Sequence, residues 1–107
     1  MTSDERVFEA LSATGVPGAL QAYPEGKAPP APFFVYMLDT AGEFYADDSN
    51  WAAIPSYRVE LYEKARDADL EERFASAIRS AFGPVSVMED WVESEHARMV
   101  TFRFACA

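Results

Sequence analysis

Within residues 54–84 the apolar residues change their spacing from two to four, which limits the chain to folds where a strand feeds directly into a helix. Tyr57, Val59 and Leu61 alternate with Arg58, Glu60 and Tyr62, so the first half predicts a strand with one face on a core and the other partly wet. Leu70, Phe74, Ile78 and Phe82 then recur every four residues, with Ala77 and Ala81 beside them, which predicts an apolar helical stripe. Asp67 suits the N-cap, Glu71 and Glu72 meet the positive end of the helix dipole, and Gly83-Pro84 is a stop signal. The expected unit is a strand whose chain passes into a helix that folds back over the sheet.

The same rules order the remaining elements. Residues 2–14 predict a first helix, with Thr2 and Glu5 at capping-box spacing, a stripe of Val7, Phe8 and Leu11, and a stop at Gly15 and Pro17. A short strand is expected over 19–23. Residues 24–32 form a loop that prolines exclude from helix and stiffen. Residues 33–38 are an unbroken apolar run, read as a strand buried on both faces. A turn over 39–42 and a return over 43–46 would complete a hairpin. After a polar loop over 47–53 and the strand–helix unit, 85–92 and 97–107 predict a closing hairpin joined by 93–96. Val100, Phe102, Phe104 and Cys106 share one face of its last strand. The expected fold is α+β: one domain over 1–107, a mostly antiparallel sheet flanked by helices at about 2–14 and 67–82, and a closing hairpin at 85–107.

Composition narrows the function classes. At 107 residues with half of them hydrophobic, the chain can bury a core without staples. Its single cysteine, Cys106, excludes an intramolecular disulfide framework and a multi-cysteine zinc site, and reads as a small apolar residue of the last strand. No apolar run is long enough for a membrane span, and the start is acidic where a signal peptide is basic and then apolar, so a soluble protein made in the cytoplasm is expected. A net charge of −9 argues against a nucleic-acid-wrapping face.

The search for catalytic residues ends without a constellation. His96 is the only histidine, and it lies ten positions from Cys106 on what reads as one strand, roughly 33 Å along an extended chain. A thiol–imidazole pair is therefore out of reach. No nucleophile elbow and no phosphate-cradling glycine loop is present. Asp47, Asp48 and Asn50 lack the alternating ligands, central Gly and terminal Glu of a calcium loop, and are read as residues bonding their own backbone. Glu89, Asp90, Glu93 and Glu95 are expected to decorate an exposed hairpin, with Glu89 and Glu93 on one side and Asp90 on the other. No enzyme, cofactor or metal is expected. Trp51, Trp91, Tyr45, Tyr57 and Tyr62 remain as aromatic residues that either pack or form a partner surface.

Three segments carry a resemblance: Phe44-Tyr45-Ala46-Asp47-Asp48-Ser49-Asn50, Ile54-Pro55-Ser56-Tyr57-Arg58-Val59-Glu60-Leu61-Tyr62-Glu63-Lys64, and Glu93-Ser94-Glu95-His96. With the opening Val7-Phe8-Glu9-Ala10-Leu11 and the proline-rich loop before Phe33-Phe34-Val35-Tyr36, they resemble small proteins of prophages and siphoviruses encoded just before the major tail tube protein, the tail terminator or tail completion proteins. The resemblance implies an α+β domain that assembles as a hexameric ring, caps the tail tube, and offers the surface that docks a head-closure or connector protein. DNA would pass through the lumen without specific binding, past a wall of like charge. A ring needs two different patches on each protomer. The resemblance places them at Asp47, Asp48, Asn50, Trp51 and Ile54, and at Trp91, Glu93, Glu95 and His96. The alternatives at this level are a head-closure protein of the phage neck and a monomeric module that binds a host protein.

Overall fold

Among the described residues, two α-helices and five strands follow in the order α1 (Ser3–Ser12), β1 (Gly18–Leu20), β2 (Phe33–Leu38), β3 (Ser56–Glu63), α2 (Ala68–Phe82), β4 (Val85–Val92) and β5 (Ala97–Ala105). They come from a computed structural model that describes residues 1–39 and 55–106, with the side chain of Glu95 excepted. The sheet order is β1-β2-β3-β5-β4; β1 runs parallel to β2 and the other pairs are antiparallel. The fold is the expected α+β arrangement. Only the parallel edge departs from a purely antiparallel sheet.

β3 occupies the centre of this sheet, and its burial alternates strictly, with Tyr57, Val59, Leu61 and Glu63 turned inward. Opposed residues of an antiparallel pair share a face, so register converts that alternation into rows across the sheet. Tyr36, Val59, Phe102 and Val87 form one row, and Phe34, Leu61, Val100 and Glu89 the next. Both helices lie against this face. Val7 and Leu11 of α1 join Leu70, Phe74, Ala75 and Ile78 of α2 in one core with the inward residues of β2, β3 and β5. Cys106, just past β5, is also buried there, and its N–H donates to the Pro55 carbonyl at 2.7 Å.

The helices start where capping chemistry predicts. The Glu5 N–H donates to Thr2 Oγ1 at 3.1 Å while the Thr2 N–H donates to Glu5 Oε1 at 2.8 Å. At α2 the Leu70 N–H donates to Asp67 Oδ1 at 3.1 Å, and Gly83 closes the helix at φ +106°, a conformation that favours glycine. The apolar stripe of α2 departs from expectation on one flank. Ala75 is buried, Ala77 half-buried and Ala81 exposed. A four-residue spacing advances about 40° per step around the helix, so Leu70, Phe74 and Ile78 drift toward Ala75 and leave Ala81 behind.

Four further expectations need correction. α1 ends at Ser12, two residues early, with the Thr14 hydroxyl donating to the Leu11 carbonyl at 2.6 Å and Gly15 turning the chain at φ +87°. Phe8 is not a core residue. It is 41% exposed and leans on Phe34 and Tyr36 at centroid distances of 6.5 and 5.9 Å, because α1 turns Val7 and Leu11 inward and leaves Phe8 at the rim. β1 spans Gly18–Leu20 instead of 19–23, since Gln21 adopts φ +65° and breaks the extended run. Gly18 is required there: a Cβ would sit 2.1 Å from the Phe34 ring. Finally, β2 is not buried on both faces throughout, as Phe33 and Met37 are half-buried and Leu38 is exposed. The expected return strand at 43–46 lies outside the described residues; the antiparallel neighbour of β2 among them is β3.

Phe74 is fully buried between Phe34, edge-on at 5.5 Å, and Phe102, stacked at 5.9 Å. Phe74→Ala should lower the unfolding free energy by about 3–5 kcal/mol in urea titrations. Phe8→Ala, which removes a ring already in contact with water, should cost under about 1.5 kcal/mol. Equal losses at the two positions would contradict this placement of the core.

Candidate interaction surface

The closing hairpin contributes the sequence-predicted interface residues that fall among the described ones. β4 is an edge strand, and its eight residues are exposed apart from half-buried Val85 and Val92. Val87, Met88 and Trp91 stand 49%, 60% and 51% exposed on it. The Trp91 indole N–H donates to the Glu93 carboxylate, and the Trp91 backbone N–H donates to Asp90 Oδ1 at 2.8 Å. Glu93–Glu95 form a 3-10 turn, closed by His96 in the left-handed region at φ +47°. His96 is exposed at this tip, and Glu95 contributes its backbone to the turn. Trp91, Glu93 and His96 therefore share one end of the molecule. Asp47, Asp48, Asn50, Trp51 and Ile54 lie outside the described residues, as does Tyr45.

The other aromatic residues separate by burial. Tyr57 packs: it is 3% exposed, and its hydroxyl donates to Asp4 Oδ1 across the gap between β3 and α1. Burial, reinforced by the bond to Asp4 and its charge, pushes the Tyr57 phenol well above its ordinary range. Tyr62 is half-buried on the helix-free face and stacks on Phe33 at 5.0 Å. Only Trp91 is left as a large aromatic surface feature among these three.

A buried acid cluster emerges where alternation runs on beyond the apolar residues. After Tyr57, Val59 and Leu61, the next inward position of β3 is Glu63, and its register partner on β5 is Arg98. Arg98 Nε lies 3.3 Å from Glu63 Oε1 and 3.3 Å from Glu71 Oε2 of α2, and its NH2 group pairs with Glu89 of β4. One guanidinium thus ties β3, α2, β4 and β5 together. Glu63 is 2% exposed, and neither of its oxygens has a hydrogen-bond partner of good geometry. Burial pushes its carboxyl up to about 7, and Glu71 raises it further by sharing the proton and opposing a second charge. Arg98 and the Asp67 backbone N–H pull the other way.

A buried carboxyl that holds its proton can serve acid–base chemistry, but Glu63 is closed to a substrate by its burial. Its evident work is holding the N-terminal half of α2 to the sheet. Glu89, read from sequence as hairpin decoration, is half-exposed and engaged by Arg98. Among the described residues no group of three His, Cys, Asp or Glu side chains is arranged to hold a metal ion. On the opposite face, Asp39 Oδ2 accepts from Arg103 Nε at 3.1 Å, and Arg58 pairs with Glu60 at 3.3 Å.

The acidity of Glu63 sets a pH dependence. The folded chain keeps this proton up to about pH 7, whereas the unfolded chain releases it near the ordinary value of 4.5. Its contribution to stability is therefore full below pH 4.5, falls as pH rises to 7, and is lost above that. Glu63→Gln should remove this downward slope and raise the unfolding free energy at pH 8 by up to roughly 3 kcal/mol relative to the unmodified chain. Parallel stability–pH curves for the two proteins would contradict the assignment.

No protein-family model matches the chain, no curated protein matches its sequence, and no solved structure matches its fold.

Proposed function

We propose that this chain is a structural protein of a bacteriophage or prophage tail, a tail terminator that caps the tail tube as a ring and presents the joining surface for the head. The observation that carries this reading is the closing hairpin. Its exposed edge bears Val87, Met88 and Trp91, and its tip bears Glu93 and His96, which is the kind of surface an assembly protein needs and a monomeric enzyme does not. The sequence resemblance of 44–50, 54–64 and 93–96 to tail terminators supplies the biological setting. The sole histidine stands exposed at a turn and the sole cysteine is buried, so neither supports bond-making chemistry. In such a ring the −9 charge of each copy would line a passage that DNA leaves without adhering. The major tail tube protein lies below the ring and a head-closure protein above it.

Deleting the gene and imaging the particles tests this directly. Tubes of abnormal length without attached heads are expected. Tails of normal length carrying heads would overturn the reading. Purified headless tails should contain the protein; its presence only in particles with heads would assign it to the head-closure position instead.

A further inference from the structure

A groove of about 690 Å³ lies between α1 and the rim of the sheet where β1 meets β2. Asp4, Phe8 and Ser12 line it at four-residue spacing, so it follows one face of α1 for roughly 12 Å. Leu20 and Tyr36, register partners across β1 and β2, line it from the sheet. Its apolar part is open to water, with Phe8 41% and Leu20 45% exposed. Covering these two side chains together would favour association.

The rim of the groove is acidic. Asp4, Glu5 and Glu9 border it, and no Lys, Arg or His side chain among the described residues does. Two of these carboxylates are fixed in place, since Asp4 Oδ1 accepts from the Tyr57 hydroxyl and Glu5 Oε1 accepts from the Thr2 N–H. Glu9 stands exposed one turn further along α1. Among the described residues none of the three forms an ion pair with a basic side chain.

We propose that this groove docks a segment of a partner protein in which a Lys or Arg lies within one helical turn of a bulky apolar side chain. The proposal goes beyond the tail reading and does not rest on it.

The occupant follows from charge and shape. Fixed carboxylates beside an apolar floor suit a cation carried next to an apolar group, and a guanidinium can also lie over the Phe8 ring. Nucleic acid or an anionic lipid surface would bring phosphates against three carboxylates. A second copy of this chain, at −9, brings mostly like charge as well. A small molecule is ordinarily enclosed by its pocket, whereas an open groove two helical turns long suits a protein segment laid along it.

The test selects from a display library of short random peptides on the full-length chain. The retained peptides should place Lys or Arg within one helical turn of Leu, Phe or Trp. The tightest of them, made synthetically, is then titrated into the chain and followed by amide resonances. Shifts should centre on α1 and Leu20. Glu9→Lys and Leu20→Asp, both at exposed positions, should each weaken binding at least about tenfold with an unchanged circular dichroism spectrum. Glu72→Lys makes the same charge change at an exposed position of α2 and should leave the affinity within about twofold, which separates the groove from general attraction to an acidic protein. Retained peptides without a basic residue, no retained peptide, shifts centred on β4, or equal losses from Glu9→Lys and Glu72→Lys would each overturn the proposal. Light scattering of the chain alone gives a further check. A two-chain mass that Leu20→Asp returns to one chain would assign the groove to a second copy and overturn it too.

Discussion

The structure depends on β3 being held between β2 and β5 with a strict alternation of inward and outward residues. A one-residue slip of this strand would send Tyr57, Val59 and Leu61 to the helix-free face and bring Arg58, Glu60 and Tyr62 under the helices. Burying Arg58 and Glu60 there would cost far more than any gain from the new pairing. That asymmetry fixes the rows across the sheet, and the rows fix where α1 and α2 can place their apolar stripes. Phe74 contacts Phe34 and Phe102 because those residues flank β3 in register, on neighbouring rows.

The alternation also accounts for the least comfortable residue of the core. Carrying the period one step past Leu61 places Glu63 inward, and the fold answers with Arg98, which reaches Glu71 and Glu89 from the same guanidinium. Three carboxyls around one cation leave an excess of negative charge, and retention of a proton on Glu63 is the least costly resolution. The helix-free face resolves its charges differently, by half-exposed pairs such as Arg58 with Glu60 and by stacking of Phe33 on Tyr62. Apolar burial is therefore concentrated on one side. The exposed Val87, Met88 and Trp91 at the sheet edge formed by β4 are the basis of the assembly reading.

Most of the architecture was legible in the sequence because its signals were local. Capping residues placed the starts of both helices, Gly83-Pro84 placed the end of α2, and period-two alternation placed β3 and the closing hairpin. The misreadings fell where a distant contact decides the outcome. Phe8 has the spacing of a core residue, and only the position of α1 at the sheet rim exposes it. β1 is short because of the backbone turn at Gln21 and the fit of Gly18 under the Phe34 ring, neither of which propensity conveys. Of the candidate surface, the exposure of the hairpin acids and of His96 at its turn was legible, whereas the residues alone left Trp91 open between packing and a partner surface. The Glu63–Arg98 cluster was missed, although two signals pointed to it. Extending Tyr57, Val59, Leu61 by one step reaches Glu63, and extending Phe104, Phe102, Val100 backward by one step reaches Arg98.

Native-state hydrogen exchange resolved by residue tests the central role of β3 most directly. The ladder amides of Val59 and Leu61, flanked on both sides by strands, should exchange only through global unfolding and share its free energy. The 3-10 turn amides at Glu93–Glu95 should exchange faster by several orders of magnitude. Exchange of β3 at turn-like rates, with β4 the more protected strand, would contradict the account.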